Sequence, residues 1–186
     1  MELLGILGFV FLGGGLLVLI LIYNGFIGRR NAMRNAFASI DVQLKKRWEL
    51  VPNLVETVRG FAKHEKEVFE GVIEARNAAQ VASAESGERF AQEREIEVGM
   101  NRLFALAESY PELKSSEHFL NLQRNLTEVE SQISASRRAY LAAVQDWNNG
   151  VESFPGVIFA GVWNFERAAW FEVKAEEREG VDVRLS

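Results

Sequence analysis

The sequence has 186 residues, 48% of them apolar, with 21 basic and 26 acidic side chains for a formal net charge of −5, three prolines and no cysteine. That length suits one domain of ordinary size, and the lack of cysteine excludes a disulfide framework, a thiolate nucleophile and a Cys-ligated zinc. The apolar fraction excludes overall disorder, and scarce proline beside abundant Ala, Glu, Leu, Arg and Gln favours helix.

From Leu3 to Ile22 twenty residues carry no charge, enough at about 1.5 Å per residue to cross a hydrocarbon core of about 30 Å. A transmembrane helix is predicted there. A cleaved signal peptide is the rival reading, but no Lys or Arg precedes the run and no Ala-x-Ala-like site follows Ile22. Charge falls unevenly: residues 1–28 carry −1, 29–47 carry +5, 48–80 carry −2 and 81–186 carry −7. Arg29, Arg30 and Arg34 follow the apolar run and only Glu2 precedes it, so the positive-inside rule places the amino end outside and the bulk of the chain in the cytoplasm. Tyr23 and Phe26 are expected at the membrane interface. Lys45, Lys46 and Arg47 would stand about 35 Å from the bilayer on a straight helix, beyond a Debye length of about 8 Å. A solvated helix face is the favoured reading for them, a partner site the alternative.

Downstream, apolar residues recur with helical spacing. Met33, Phe37, Ile40, Leu44, Trp48 and Val51 form one stripe, continued past Pro52 by Leu54, Val58, Phe61, Val68 and Val72, with Phe69 and Ile73 beside it. Proline inside a helix removes a hydrogen bond, whereas at a helix start it costs nothing, so a tight break and an antiparallel second helix are expected at Pro52. A single kinked helix is the alternative. Small polar residues at 81–87 mark the next turn, with Ser86 as cap of a helix from about Glu88. Phe90, Ile96, Met100, Leu103 and Ala107 make the third stripe, ended before Pro111. Ser115 or Ser116 can cap the fourth, the most regular: Leu122, Leu126, Val129, Ile133, Ser136, Tyr140, Val144, Trp147 and Val151.

Four amphipathic helices joined by short turns predict an all-α chain, an N-terminal transmembrane helix followed by an up-and-down four-helix bundle. The expected division is an anchor and linker at 1–28, the bundle at 29–153, an aromatic-rich segment at 154–173 and an acidic tail at 174–186. The aromatic segment carries more apolar surface than a free tail tolerates in water. It is expected to fold onto the bundle end, or else to meet the bilayer or a neighbouring subunit, with Trp163, Phe165, Trp170 and Phe171 as interface candidates.

Reactive constellations are missing from the sequence. It holds no phosphate-binding glycine loop and no His-Glu-x-x-His, and the residues three before His64 and His118 are Phe61 and Ser115 rather than the Glu of a helical di-iron site. His64 beside Glu65 and Glu67 reads as an exposed histidine among charges. No catalytic residue, metal or cofactor is expected, and the short basic stretch of an acidic chain does not point to nucleic acid.

The run Ile-Asp-Val-Gln-Leu-Lys-Lys-Arg at 40–47, followed by Leu-Val-Pro-Asn-Leu-Val-Glu-Thr at 50–57, closely resembles the signature of the LemA family. Tyr23 with Asn24, Arg30 with Asn31, His64 with Glu65, Ala75 with Arg76, Tyr110 with Pro111, Arg137 with Arg138 and Tyr140, Asn148, and Phe154 with Pro155 fall where that family's pattern has them. Leu141, often Asn in the family, and Trp170 with Phe171, usually Tyr-Phe, depart from it. The resemblance implies a bacterial inner-membrane protein with one N-terminal span, a cytoplasmic helical bundle, and no established reaction or cofactor. It also implies work near membrane peptidases in envelope quality control. Asp41, Gln43, Lys45, Arg47, Asn53 and Glu56 match the motif; with Pro52 they are expected to lock a turn through side-chain hydrogen bonds and ion pairs, with partner recognition as the second reading. The expected function is a membrane-anchored, noncatalytic scaffold or adaptor that binds other proteins, membrane peptidases among them, or further copies of itself as a homo-oligomer. A membrane-remodelling or lipid-organising protein is the alternative.

Overall fold

A computed structural model describes residues 2–62, 64–83 and 87–168. Among these residues every regular element is helical: α1 (Glu2–Arg59), α2 (Lys66–Val81), α3 (Gly87–Glu108), α4 (Pro111–Lys114), α5 (Glu117–Glu152) and α6 (Gly156–Trp163). Ser86, Trp170, Phe171 and the acidic 174–186 segment lie outside the described residues. The chain groups into two compact units, Met1–Phe37 with Arg138–Ser186, and Ala38–Arg137, so that α1 and α5 each contribute to both.

In the first unit, α1 begins as an apolar helix with no protein packed on it: Phe9, Phe11 and Leu12 are 83%, 87% and 76% exposed. It is long and apolar enough to cross a membrane. At Phe26 the environment changes. This ring is buried with Trp147, Val151 and Ala160, from the end of α5 and from α6. The Asn164 backbone is left-handed (φ 58°), a conformation Asn tolerates better than most residues. It ends α6, and the Phe165 N–H donates to the Ala160 carbonyl (2.9 Å).

In the second unit one core gathers Val51, Leu54 and Val58 of α1, Phe69, Val72, Ala75 and Ala79 of α2, Ile96, Met100 and Leu103 of α3, Leu113 of α4, and Phe119 and Leu126 of α5. Each such side chain contributes about 1.5–3 kcal/mol when taken fully out of water. Helices α2 and α3 approach closely at Gly99, where an added Cβ would meet the Val72 Cγ2 at 2.2 Å. Ser116 caps α5 by accepting from the Phe119 N–H (3.5 Å). Pro111 opens the short α4 behind an extended Tyr110, as the residue before proline prefers.

Two readings of the chain are corrected. There is no break at Pro52: α1 passes through it to Arg59, and the turn residues Gly60, Phe61 and His64 follow its end. That turn also resets the phase of the stripe, so α2 buries Phe69, Val72, Ala75 and Ala79, and Phe61 stands 43% exposed.

Candidate functional site

The second unit holds a buried charge network built on the family-like motif. Strict alternation of four- and three-residue steps carries the buried face of α1 through Ile40, Leu44, Arg47, Val51, Leu54 and Val58. Arg47 therefore points into the helix packing and is 1% exposed, while Lys45 and Lys46 remain in solvent. The solvated-face reading thus fails for Arg47. Its Nη1 donates to the Glu130 Oε1 of α5 (2.7 Å). Its Nη2 donates to the Glu93 carboxylate of α3 and to the Glu93 backbone carbonyl, the latter at 3.3 Å.

Glu93 is as buried as its partner and also accepts from the Trp48 indole N–H (2.8 Å). Arg89 Nη2 donates to Asp41 Oδ1 (2.6 Å), and its guanidinium lies 5.3 Å from the centre of the Trp48 ring. Burial opposes the charge on Arg47, but attraction to Glu93 and then Glu130, with their hydrogen bonds, outweighs it and raises the pKa above the ordinary arginine value. A raised cation pKa stabilises the fold below the unfolded value and loses that contribution only as pH rises through the folded one. Arg47 thus stays charged throughout the neutral range.

Pro52 completes the network. Lacking an N–H, it leaves the carbonyl of Trp48, four residues earlier, without its helical donor. Arg76 Nε of α2 supplies one at 3.1 Å. Arg76→Met is expected to cost about 1–3 kcal/mol by orphaning that carbonyl, and Pro52→Ala, which restores the N–H, should make the same substitution much cheaper. Denaturant unfolding of the full chain in detergent, followed by circular dichroism for the four members of the cycle, checks this non-additivity.

The other motif residues do not join this network. Gln43 is half-buried beside Lys46, Glu49, Asn125 and Glu128 in a shallow groove of about 290 Å³, its Oε1 without a partner. Asn53 and Glu56 are exposed, and the Asn53 carbonyl accepts from Thr57 Oγ1 (2.7 Å). Among the described residues no group of three or more His, Asp or Glu side chains is placed to hold a metal ion.

The first unit carries an aromatic cluster around Phe26. Its ring centre lies 5.9 Å from Trp147, 6.2 Å from Trp163 and 5.0 Å from Phe165, and Tyr23 meets Trp163 edge-on at 5.1 Å. The segment after α6 is fastened to α5 by the Trp147 indole N–H on the Glu166 carbonyl (2.9 Å). The Asn148 amide exchanges two bonds with the Ala168 backbone (3.1 and 2.9 Å). Arg29 pairs with Asp146 (3.3 Å), Arg30 stands 5.9 Å from the Phe165 ring centre, and Arg34 is exposed.

Sequence reasoning missed Glu93, Glu130 and Arg89, and it expected Phe26 at the membrane interface where the structure buries its ring against Trp147, Val151 and Ala160. The signal for Glu93 was available: the third stripe jumps from Phe90 to Ile96, and regular steps through Arg89, Glu93 and Ile96 fill the gap.

Fold and site together define an all-helical protein with a candidate membrane-spanning helix and a charge network turned into its helix packing. The chain belongs to the LemA family, whose model matches residues 36–185. It is similar to protein LemA of Metamycoplasma hominis, 22% identical over 186 residues that cover 96% of this chain and 85% of that protein. It is also similar to magnetosome protein MamQ 2 of Paramagnetospirillum magneticum, at 23% identity over 181 residues. Magnetosome protein MamQ of Magnetospirillum gryphiswaldense matches at 20% identity over 181 residues. These two matches each cover 84% of this chain, which spans 66% of the length of the MamQ proteins.

Proposed function

We propose that this LemA-family chain is a membrane-anchored, noncatalytic scaffold or adaptor of the bacterial inner membrane. The apolar start of α1 spans the bilayer once with its amino end outside. The helices after it form an up-and-down four-helix bundle in the cytoplasm that binds other proteins, membrane peptidases among them, or further copies of the chain.

The observation that carries this reading is where the polar chemistry lies. Arg47 and Glu93 bond to each other inside the helix packing, Arg47 also to the partly buried Glu130 and Glu93 to the indole of the partly buried Trp48. These groups fix the register of three helices against each other, a role attested for buried polar groups elsewhere. The absence of charge over Leu3–Ile22 and the arginines that follow support the anchor and its orientation.

Crosslinking of the full chain in native membranes, followed by mass spectrometry, tests the scaffold. Discrete crosslinked species, either self-paired or with a recurring partner, are expected. Recovery of uncrosslinked monomer alone would count against it. A lipid-organising role is the second reading, favoured by the exposed apolar residues of α6; vesicles changing shape when the full chain is reconstituted into them would support it.

A further inference from the structure

Helix α6 has the sequence Gly-Val-Ile-Phe-Ala-Gly-Val-Trp, without one charged side chain and with the Trp163 indole N–H as its sole polar side-chain group. Only part of it is accommodated by the protein. Gly156 and Ala160 are buried, and Phe159 stacks at 5.4 Å on Trp163, which itself packs against the Phe26 cluster. The opposite face stands open: Val157, Ile158 and Val162 are 49%, 56% and 75% exposed, and Phe154 just before the helix is 81% exposed. A contiguous apolar patch of this kind is unfavourable in water and calls for a cover.

The position of α6 identifies that cover. Its carboxyl end meets α1 at Tyr23 through Trp163, and its amino end meets Phe26, whose Cζ lies 3.1 Å from where a Gly156 Cβ would stand. Both contacts fall just past Ile22, where the uncharged run of α1 ends. A groove of about 390 Å³ brings Leu21, Ile22 and Phe26 of α1 together with Phe154, Pro155 and Gly156 at the start of α6, with Arg29, Asn149 and Ser153 also in its lining. The start of α6 and the exposed Phe154 before it therefore stand beside the last residues of the uncharged run. Tyr23, Trp163 and Phe165, with Arg29 and Arg30 about two turns past Tyr23, compose the aromatic and basic border typical of a membrane–water interface. The chain turns away directly after α6 and exposes Glu166 and Arg167.

We propose that α6 is an interfacial helix whose outer face, Val157, Ile158 and Val162 with Phe154, lies in the lipid of the leaflet at which α1 leaves the bilayer. The proposal rests on α1 spanning the membrane, and the test separates the two. The chain has no cysteine, so Leu12→Cys, Val162→Cys and Val81→Cys each give the full-length protein a unique site for a fluorescent label. Residue 12 reports the span, residue 162 reports α6, and residue 81, which is 86% exposed at the end of α2, is the aqueous reference.

Each labelled protein is reconstituted in phosphatidylcholine–phosphatidylglycerol vesicles and quenched either by lipids brominated on their acyl chains or by aqueous iodide. Labels at 12 and 162 should be quenched by brominated lipid and show a several-fold weaker response to iodide than the label at 81. If 12 behaves so while 162 responds to iodide like 81, the interfacial helix is overturned and the span stands. Shielding of 162 from both quenchers would place protein over α6 and also overturn it. Failure of brominated lipid to quench residue 12 would remove the span and the proposal together.

Discussion

Arg47→Met should destabilise the full chain by about 3–5 kcal/mol, the range for removing one partner of a buried ion pair. The cause is what remains. Glu93 is buried to the same degree as Arg47, so without the guanidinium its carboxylate must stay charged in a low-dielectric setting or take up a proton. Glu130, 31% exposed, can turn to water and suffers less. Arg47→Lys should be intermediate, because one ammonium cannot reproduce the forked contact with two carboxylates on different helices. The informative variant is Arg47→Met combined with Glu93→Gln. It leaves no charge stranded and keeps an acceptor for the Trp48 indole, so it should recover much of the loss. Denaturant unfolding in detergent, read by circular dichroism, measures all three; an Arg47→Met transition matching that of the unmodified chain would show that the pair adds nothing.

Gly156→Ala should dislodge α6 from the end of α5, at a cost of about 1–3 kcal/mol or somewhat more. An added Cβ would lie 2.1 Å from the Gly150 carbonyl oxygen, which is backbone and cannot rotate away, and 3.1 Å from the Phe26 ring. Gly161→Ala in the same helix is the control. Its Cβ meets nothing within 4 Å, so it should be neutral or gain up to about 1 kcal/mol in helix propensity. Limited proteolysis of the full chain in detergent reads the difference: cleavage within 153–168 should quicken in the Gly156 variant and not in the Gly161 variant.

The parts of this structure governed by local periodicity were legible in the sequence. Along α5 every member of the stripe from Leu122 to Val151 is buried except Ser136, which is half-buried. An uncharged run of helical residues and the cap at Ser116 belong to the same local kind of information. What failed depended on groups distant in the chain. A proline inside a helix is costly when the helix is considered alone, but Arg76 from another helix donates to the carbonyl that Pro52 orphans. Arg47 looked like the third member of a basic cluster because adjacency in sequence was weighed above position on the helix. Counting in steps of four and three moves it to the buried face, where Glu93 of α3 neutralises it. The aromatic excess after Pro155 was visible, yet its contact with Phe26 joins residues far apart in the chain, which no local pattern encodes.

The central claim is that α1 holds the chain in the membrane with its helical unit on the cytoplasmic side. Its most direct test uses the cysteine-free sequence again. Val81→Cys, expressed as the full-length protein in bacteria, is exposed to a membrane-impermeant maleimide in spheroplasts and, separately, in inverted membrane vesicles. The account predicts that the protein sediments with the membrane and is labelled in the inverted vesicles but not in the spheroplasts; labelling in intact spheroplasts, or release of the protein as a soluble product, would contradict it.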